Sequence, residues 1–200
     1  MKTTVFKFPI LRSLLRGLSL ILLKLLGWRI EGNLPDTRKF VLIAALHTSN
    51  WDAFYMIMVA FVFRVNLYWM GKHTLFKPPF GFLTRFLGGI PIDRSTSSDT
   101  VKQSISVINE ASDIVLAVPP EGSRKKVSYW KTGFYYIALG AKVPIVTGYL
   151  DYGNKRTGVG PAITPSGDLE SDFEKIKAFY EPITGKYPKK TSIIQLRNDK

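Results

Sequence analysis

The sequence predicts an α/β fold, in which a mostly parallel central sheet is flanked by helices and preceded by an N-terminal amphipathic helix. Apolar runs of strand length alternate with segments of helical periodicity along the chain. At 200 residues, with 46% hydrophobic and 22% charged residues, the chain can form one domain with a full core. We expect a helix at 1–30, the folded domain at 31–188 and a loose polar tail at 189–200.

The first segment, residues 6–30, is rich in leucine and is interrupted by Arg12, Arg16 and Lys24. On a helix these basic residues fall in one arc, and most of the leucines lie on or near the other side. The longest charge-free stretch, 17–23, is far shorter than the roughly 20 apolar residues that a spanning helix needs. We interpret the segment as a membrane-associating helix that lies in the interface. A helix packed on the core and a secretory signal are the alternatives.

Continuous apolar runs bounded by turn residues predict the strands, because a buried parallel strand is apolar on both faces. The predicted strands are residues 40–45, 66–70, 89–92, 113–118 and 143–150, with a further candidate at 159–163. Helical periodicity predicts helices at residues 53–65, 80–87, 97–110, 132–141 and 168–180. Alternation of the two is typical of a parallel sheet, in which the loops after the strands meet at one edge.

Composition limits the classes of partner and chemistry. Lys and Arg total 28 against 15 Asp and Glu, a net charge of +13. This excess indicates anionic lipid, phosphorylated substrates or nucleic acid, unless it only keeps the surface soluble. Many of the aromatic residues lie in apolar runs, which favours a membrane interface over a nucleic-acid platform. The absence of cysteine excludes disulfides, thiolate catalysis and cysteine-based zinc sites.

His47 follows the strand at 40–45, and Asp52 comes five residues later, after Thr48, Ser49 and Asn50. On a continuous helix the two side chains would point about 140° apart, so they meet only if the chain turns between them. A carboxylate that accepts the Nδ1 proton of His47 would leave Nε2 free to take a proton from a hydroxyl. The spacing alone is weak evidence, since a histidine near a strand end is more often structural.

Basic loops also follow the other predicted strands. Lys72 follows the second strand, and Arg94 follows the third, close to two glycines. The strand at 113–118 leads into the basic loop at 119–126. Arginine binds phosphate through two parallel donors, although each loop could also be a solvated surface. In a parallel sheet these loops and the His–Asp turn would converge on one edge.

The order of these motifs resembles the glycerolipid acyltransferase family typified by 1-acylglycerol-3-phosphate acyltransferases. Residues 47–52 look like its first motif, a histidine, four residues and an aspartate. Residues 89–94 are similar to the second motif, 120–124 to the third, with Ser123 where threonine is usual, and 143–146 to the fourth. Each motif alone is weak, but four in this order and spacing are specific.

The resemblance implies that His47 is the general base and Asp52 its orienting partner. The residues implied to bind substrate are Lys72, Arg94, Glu121, Gly122, Ser123, Arg124 and Pro144. Arg94 would hold the acceptor phosphate, and Pro144 would shape the wall of an acyl pocket. The sequence departs from the family at Leu46, where asparagine is common, at Pro119, where an aromatic residue is common, and at Lys125, which replaces a frequent serine. These departures leave the acceptor open.

The implied reaction moves a fatty acyl group from acyl-CoA or acyl carrier protein to 1-acyl-glycerol-3-phosphate (lysophosphatidic acid), giving phosphatidic acid in phospholipid biosynthesis. We expect no metal or other cofactor, since no cluster has ligand spacing, and no covalent serine intermediate, since no G-x-S-x-G elbow is present. The short chain favours a monotopic enzyme on an anionic membrane surface, at the cytoplasmic face.

Three alternatives stay open from the sequence. The same chemistry could act on lyso-ornithine lipid, glycerol 3-phosphate or another lysophospholipid. A second possibility is a non-catalytic membrane protein that binds anionic lipid. Nucleic-acid binding is the third, and it is disfavoured because the basic loops lack interleaved aromatic residues and a known binding motif.

Overall fold

The computed structural model describes residues 3–92 and 97–197. Within these residues, seven strands form one sheet. The strands are β1 (Arg29–Glu31), β2 (Lys39–Ala44), β3 (Leu67–Lys72), β4 (Gly89–Ile92), β5 (Ile114–Val118), β6 (Ile145–Asp151) and β7 (Arg156–Ile163). The α-helices are α1 (Pro9–Leu25), α2 (Trp51–Val62), α3 (Gly81–Phe86), α4 (Ser97–Glu110), α5 (Gly133–Ala141) and α6 (Leu169–Tyr180). Short 3₁₀ turns cover Val5–Lys7, His73–Phe76 and Pro188–Lys190.

The strands lie in the order β1-β7-β6-β2-β5-β3-β4. Neighbouring strands are parallel except β6 and β7, which are antiparallel. This arrangement confirms the predicted α/β fold with a mostly parallel sheet. Strand β2 lies at the centre, where Ile43 pairs with Val118 of β5 and with Thr147 of β6. The chain segments that follow β2, β5 and β6 therefore emerge side by side at the carboxyl edge of the sheet.

Alternate residues of the central strands point to opposite faces of the sheet. Val41 and Ile43 of β2 belong to the core that includes buried residues of α5 and α6. Phe40 belongs to the opposite core, together with Phe6 before α1 and Phe61 of α2. Helices on both faces explain why the central strands are apolar throughout, as in all five buried residues of β5.

The N-terminal segment differs from the prediction at its C-terminal end. Helix α1 ends at Leu25, whereas the sequence predicts a helix as far as residue 30; residues 29–31 instead form β1 beside β7. Gly27 has a φ of 78°, a conformation that glycine adopts readily and that commonly ends helices. On the helix, Arg16 does not face outward: its Nε donates to Val62 O of α2 at 3.1 Å. Part of the basic arc predicted from the sequence therefore packs against protein.

An apolar stripe runs along the outer side of α1. Its members are spaced three or four residues apart, and each is at least half exposed: Ile10, Leu14, Leu18, Ile21 and Leu25. The spacing places them on one face of the helix. Across residues 3–92 and 97–197, no helix combines the length and the apolar character required to cross a membrane.

The C-terminal tail is docked on the domain as far as residue 197, rather than loose as expected. Ser192 is buried, and its hydroxyl accepts the Val127 amide at 3.1 Å. The Trp130 amide donates to Gln195 O at 2.9 Å. These bonds attach the tail to the loop that leads from β5 to α5, which also carries the third sequence motif.

Candidate active site

His47 and Asp52 meet at the carboxyl end of β2. The chain leaves the strand, turns through Thr48, Ser49 and Asn50, and enters α2 at Trp51. The turn brings Nδ1 of His47 to 3.2 Å from Oδ2 of Asp52. An ionised carboxylate only accepts hydrogen bonds, so this contact requires the proton on Nδ1. The free nitrogen, Nε2, is then the one available to a substrate.

The Asp52 carboxylate is held by donors on both oxygens. Oδ2 also accepts the amides of Thr48 at 2.9 Å and Ser49 at 2.8 Å, while Oδ1 accepts the Tyr152 hydroxyl at 2.8 Å. Burial raises the pKa of Asp52, but the hydrogen bonds from His47, Tyr152 and Ser49 outweigh burial and leave the pKa below its ordinary value. The N-terminal turn of α2 also favours a negative charge. Asp52 is therefore ionised near neutral pH.

Glu121 fixes the backbone on the other side of His47. Its Oε1 accepts the amides of Leu46 at 2.8 Å and His47 at 3.2 Å. Leu46 has a φ of 59°, in the left-handed region that costs an L-residue about 1 kcal/mol. Asparagine tolerates this conformation better than leucine does. Burial raises the pKa of Glu121, although the bonded amides favour its charged form.

The basic loop after β5 covers the same turn. The Arg124 guanidinium donates to Oδ1 of Asn50, so the loop is tied directly to the segment between His47 and Asp52. Gly122 has a φ of 63°, and the Lys131 side chain lies beside it. The exposed Arg124 and Lys125 present cations next to the exposed part of His47. An anionic group of a substrate would be attracted to this position.

A cavity of about 670 Å³ extends from this turn between α2 and the sheet. Its polar end includes His47, Asn50, Lys72 and Arg124. The interior is apolar, with a lining that includes Met56, Ile57, Ala60, Phe63, Leu67, Trp69 and Val115. The site therefore places an imidazole with an oriented carboxylate at the boundary between a cationic rim and a long apolar space.

A family model described as Acyltransferase matches residues 28–151, more than half of the chain. The chain belongs to the acyltransferase family. The family assignment made from the sequence motifs is confirmed. The match contains His47, Asp52, the loop after β5 and strand β6, and residues of each line the cavity.

Two curated relatives both carry the name 1-acyl-sn-glycerol-3-phosphate acyltransferase. The one from Streptococcus pneumoniae is 35% identical over 143 residues, covering 66% of this chain and 51% of the relative. The one from Limnanthes douglasii is 30% identical over 124 residues, covering 59% of this chain and 43% of the relative. The chain thus spans about half the length of these curated relatives.

A solved structure has a similar fold. It is the crystal structure of the 1-acyl-sn-glycerophosphate (LPA) acyltransferase PlsC from Thermotoga maritima, with a TM-score of 0.63. The similarity covers 86% of this chain and 79% of that one, at 19% sequence identity. At such identity the likeness shows the fold alone, and it agrees with the mostly parallel α/β architecture.

Some, but not all, of the site residues predicted from the sequence lie together at the candidate site. Lys72, Gly122, Ser123 and Arg124 line the cavity with His47 and Asp52; the catalytic role of that pair and the binding roles of the other four stay predictions. Arg94 lies outside the described residues. The two remaining choices, Glu121 and Pro144, have positions that differ from their predicted roles.

The acidic residue of the third motif faces backbone rather than the cationic rim. Glu121 bonds the Leu46 and His47 amides, which fits a role in fixing the turn, because a carboxylate repels phosphate. Pro144 precedes β6 at the amino end of the sheet, where its carbonyl accepts the Val41 amide at 3.0 Å. The β6 residues that line the cavity lie towards the carboxyl end of the strand: Gly148, Tyr149 and Leu150.

Sequence reasoning missed several residues of the candidate site. The Tyr152 hydroxyl donates a hydrogen bond to Asp52, and the Asn50 side chain accepts one from Arg124. The segment after α6 also reaches the turn, because the Tyr187 amide donates to the Thr48 hydroxyl at 3.2 Å. Lys186 places its ammonium 4.8 Å from the centre of the Trp51 ring. A signal existed for Tyr152, since it follows a strand at the edge where the other site residues lie.

Proposed function

We propose that this chain transfers a fatty acyl group from a thioester to the free hydroxyl of 1-acyl-glycerol-3-phosphate, giving phosphatidic acid. The observation that carries the proposal is the 3.2 Å contact between His47 Nδ1 and Asp52 Oδ2 at the mouth of the apolar cavity. Both curated relatives carry the name of this activity, which supports the choice of acceptor. The thioester is carried by coenzyme A or by acyl carrier protein.

The transfer needs one proton acceptor and no covalent enzyme intermediate. Nε2 of His47 takes the proton of the acceptor hydroxyl while the oxygen attacks the thioester carbonyl carbon. Asp52 stabilises the imidazolium that forms and holds the ring in place. The tetrahedral intermediate then collapses, the carbon–sulfur bond breaks, and His47 donates its proton to the departing thiolate. The products are the new ester and the free thiol.

Cations at the rim support a phosphorylated acceptor. Arg124 and Lys72 line the polar end of the cavity, and Lys125 lies beside them. A phosphate bound there would place a nearby glycerol hydroxyl next to His47, and this positioning is a large part of catalysis. Arg94 remains a predicted phosphate ligand on the basis of the family motif.

The apolar interior supports an acyl chain as the second recognised group. Its volume, about 670 Å³, falls inside the range of about 300–1,000 Å³ that is typical of small-molecule sites. Burial of each methylene contributes about 0.8 kcal/mol, so a long chain would bind more tightly than a short one. His47 and Asp52 line this cavity, so the acyl carbonyl would have to lie at their end of it.

Membrane association is part of the proposal. The exposed apolar residues of α1 form a continuous stripe, whereas those on soluble surfaces are usually scattered singly. The neighbouring Arg12 and Lys24 carry positive charge. These features support a monotopic enzyme, lying on an anionic membrane at the cytoplasmic face. A lysolipid could then reach the cavity from the bilayer. The absence of a required cofactor remains an expectation from the sequence.

The decisive experiment is a radiolabelled acyl-transfer assay with wild type and the His47→Ala variant. The acceptors are lysophosphatidic acid, glycerol 3-phosphate, lyso-ornithine lipid and neutral monoacylglycerol, each tested with acyl-CoA and with acyl carrier protein. We expect wild type to acylate lysophosphatidic acid best, and His47→Ala to lose at least about 1,000-fold in kcat. His73→Ala, which changes the other histidine, is the matched control and should retain activity.

Each outcome separates one candidate function from another. If the enzyme prefers a different acceptor, the proposed acyl transfer still holds, but the proposed acceptor is wrong. Vesicle binding without acyl transfer to any acceptor would favour the non-catalytic lipid-binding alternative. Normal turnover by a folded His47→Ala variant would contradict the proposed mechanism.

A further inference from the structure

A tyrosine hydroxyl donates a hydrogen bond to the second oxygen of the Asp52 carboxylate. Tyr152 directly follows β6, and its hydroxyl donates to Oδ1 of Asp52 at 2.8 Å. The other oxygen, Oδ2, faces Nδ1 of His47 at 3.2 Å. The carboxylate is therefore held between the imidazole on one side and the phenol on the other.

Packing from several elements fixes the position of Tyr152. Its ring packs edge-to-face with Trp28, with centroids 5.0 Å apart, and with Tyr55 of α2, with centroids 5.9 Å apart. The ammonium of Lys186 lies 5.9 Å from the ring centre. The Tyr152 amide donates to Thr184 O at 2.9 Å, which ties the backbone to the segment after α6. These contacts leave the phenol little freedom to swing away from Asp52.

The phenol is a lasting donor to Asp52. Burial raises the pKa of Tyr152, and the hydrogen bond to the charged Asp52 raises it further, so the hydroxyl keeps its proton across the working pH range. In return, this bond helps to lower the pKa of Asp52. Tyr55 and Tyr187 also disfavour its ionisation, and the Lys186 ammonium lies near the face of its ring.

We propose that Tyr152 is a positioning residue for acyl transfer, whose hydroxyl fixes the Asp52 carboxylate so that Oδ2 faces His47. The inference rests on the proposed function, since it assigns a role in that same site. Tyr152 acts through Asp52 and needs no contact with substrate. It lies just beyond residues 28–151 matched by the family and outside all four sequence motifs.

The test is the Tyr152→Phe variant, which keeps the ring and removes the hydroxyl. Loss of a hydrogen bond to a charged group should lower kcat about 10-fold and leave KM for the acceptor nearly unchanged. The acid limb of the kcat profile should move to higher pH, because Asp52 has lost a donor that stabilises its charged form. Unchanged kcat together with an unchanged pH profile would overturn the inference.

The matched control is Tyr135→Phe. The Tyr135 hydroxyl donates to Oδ2 of Asp172 at 3.1 Å in the core between α5 and α6, so the same atom is lost from another tyrosine–aspartate pair. This variant should lower the thermal midpoint while kcat and its pH profile remain those of wild type. If Tyr152→Phe behaves in the same way, its hydroxyl is only structural and the inference fails.

A double-mutant cycle locates the effect on the carboxylate. In an Asp52→Asn background, Tyr152→Phe should cause little further loss of kcat, because the charged group that it positions is gone. Independent, multiplying losses would overturn the inference. If Tyr152→Phe does not fold, 3-fluorotyrosine in place of Tyr152 decides: its stronger hydrogen-bond donor should lower the carboxyl ¹³C titration midpoint of Asp52, and an unchanged midpoint would overturn the inference.

The controls also separate this inference from the proposed function. A wild-type protein with no acyl transfer would refute the function, while the ¹³C titration would still test the contact between Tyr152 and Asp52. Active wild type with an unaffected Tyr152→Phe variant would refute the inference alone.

Discussion

Glu121 links the first and third motifs through a single oxygen atom. Oε1 accepts two backbone amides on the approach to His47, while Oε2 is buried without a hydrogen-bond partner among the described residues. The structural contribution of the side chain is therefore an acceptor at one position, rather than a negative charge. The amide oxygen of glutamine could supply that acceptor equally well.

We accordingly predict different results for two substitutions of Glu121. Glu121→Gln should retain most of the stability and activity, because its side-chain oxygen still accepts the Leu46 and His47 amides. Glu121→Ala leaves two buried amides unpaired, at a cost of about 1–3 kcal/mol each, and should also disturb His47 and lower kcat. Thermal unfolding and acyl-transfer rates measure both effects. Equal losses in the two variants would show that the charge itself is required.

Asp172, which lies away from His47 and Asp52, makes the stability of the fold depend on pH. It is fully buried and accepts the Ser166 amide at 2.7 Å and the Lys175 ammonium at 3.0 Å. Burial opposes its ionisation, but these bonds and those from the Ser166 and Tyr135 hydroxyls lower its pKa to about 2. The folded state thus stabilises the charged form.

The resulting prediction concerns acid unfolding. Since the folded pKa lies below the unfolded value of about 3.9, the stabilisation is present above that value and is lost as the pH falls towards 2. The difference in free energy of unfolding between wild type and Asp172→Asn should be large at pH 5 and shrink below pH 4. Urea unfolding at several pH values measures it. A difference independent of pH would contradict the assignment.

At the scale of elements, the central strands were predictable because burial on both faces leaves a continuous apolar run. Strand β5, with all five residues buried, is the clearest example. Strand β1 was not predictable, since it has three residues and forms only by pairing with β7, far along the chain. The docked tail was missed for the same reason: its partners, Val127 and Trp130, lie more than 60 residues away.

In the candidate site, too, contacts between residues close in the sequence were predictable, and contacts between distant residues were not. His47 and Asp52 could be paired from the sequence because a five-residue turn is a local structure with recognisable turn residues. The Tyr152 and Asp52 side chains meet across 100 residues, and Glu121 reaches Leu46 across 75. Spacing along the chain carries no information about such contacts, which depend on which strands become neighbours in the sheet.

Helix α2 sets the depth of the apolar cavity. It begins at the catalytic turn, and its residues Met56, Ile57, Ala60 and Phe63 line the wall. Ala60 lies eight residues beyond Asp52, which is about 12 Å along the helix. Its small side chain leaves space deep in the cavity, where the distal part of a long acyl chain would lie.

A larger side chain at this depth should change chain-length preference. We predict that Ala60→Leu reduces transfer with long acyl chains and retains transfer with short ones, because only the deep end is filled. Ala53→Leu, which adds the same volume one residue after Asp52, should lower the rate with every chain length. Competition assays with mixed acyl thioesters measure the preference, and thermal midpoints check for the about 1–3 kcal/mol cost of overpacking. Identical profiles for the two variants would argue against an acyl chain in this cavity.

At the scale of the whole molecule, exposed apolar residues occur on α1, on α2 and in the cavity lining. Besides the stripe on α1, α2 exposes Trp51 and Phe54 beside the catalytic turn, and Leu75 at the cavity lining is half exposed. Helices α1 and α2 contact each other, so the stripe and the two exposed aromatic residues of α2 lie on neighbouring elements. A membrane bound there would cover the stripe and bring lipid towards His47, and the net charge of +13 would add attraction to anionic lipid.

This arrangement predicts two separable contributions to membrane binding. Leu14→Ser with Leu18→Ser should weaken binding to vesicles at least about tenfold at any salt concentration, because insertion of apolar surface is lost. The matched control is Tyr136→Ser with Leu139→Ser, which removes two exposed apolar residues from α5 on the other face of the sheet and should bind as wild type does. Cosedimentation with neutral and anionic vesicles measures the binding.

The electrostatic part should respond to salt and lipid charge. Binding of wild type to anionic vesicles should weaken as salt rises, since exposed charges are screened within about 10 Å at 0.1 M salt. The α1 variant should lose transfer with acceptors embedded in vesicles, and keep it with a short-chain acceptor dissolved in water, because the catalytic turn is unchanged. Equal loss with both acceptors would mean that the leucines support the fold of the site rather than its access to the bilayer.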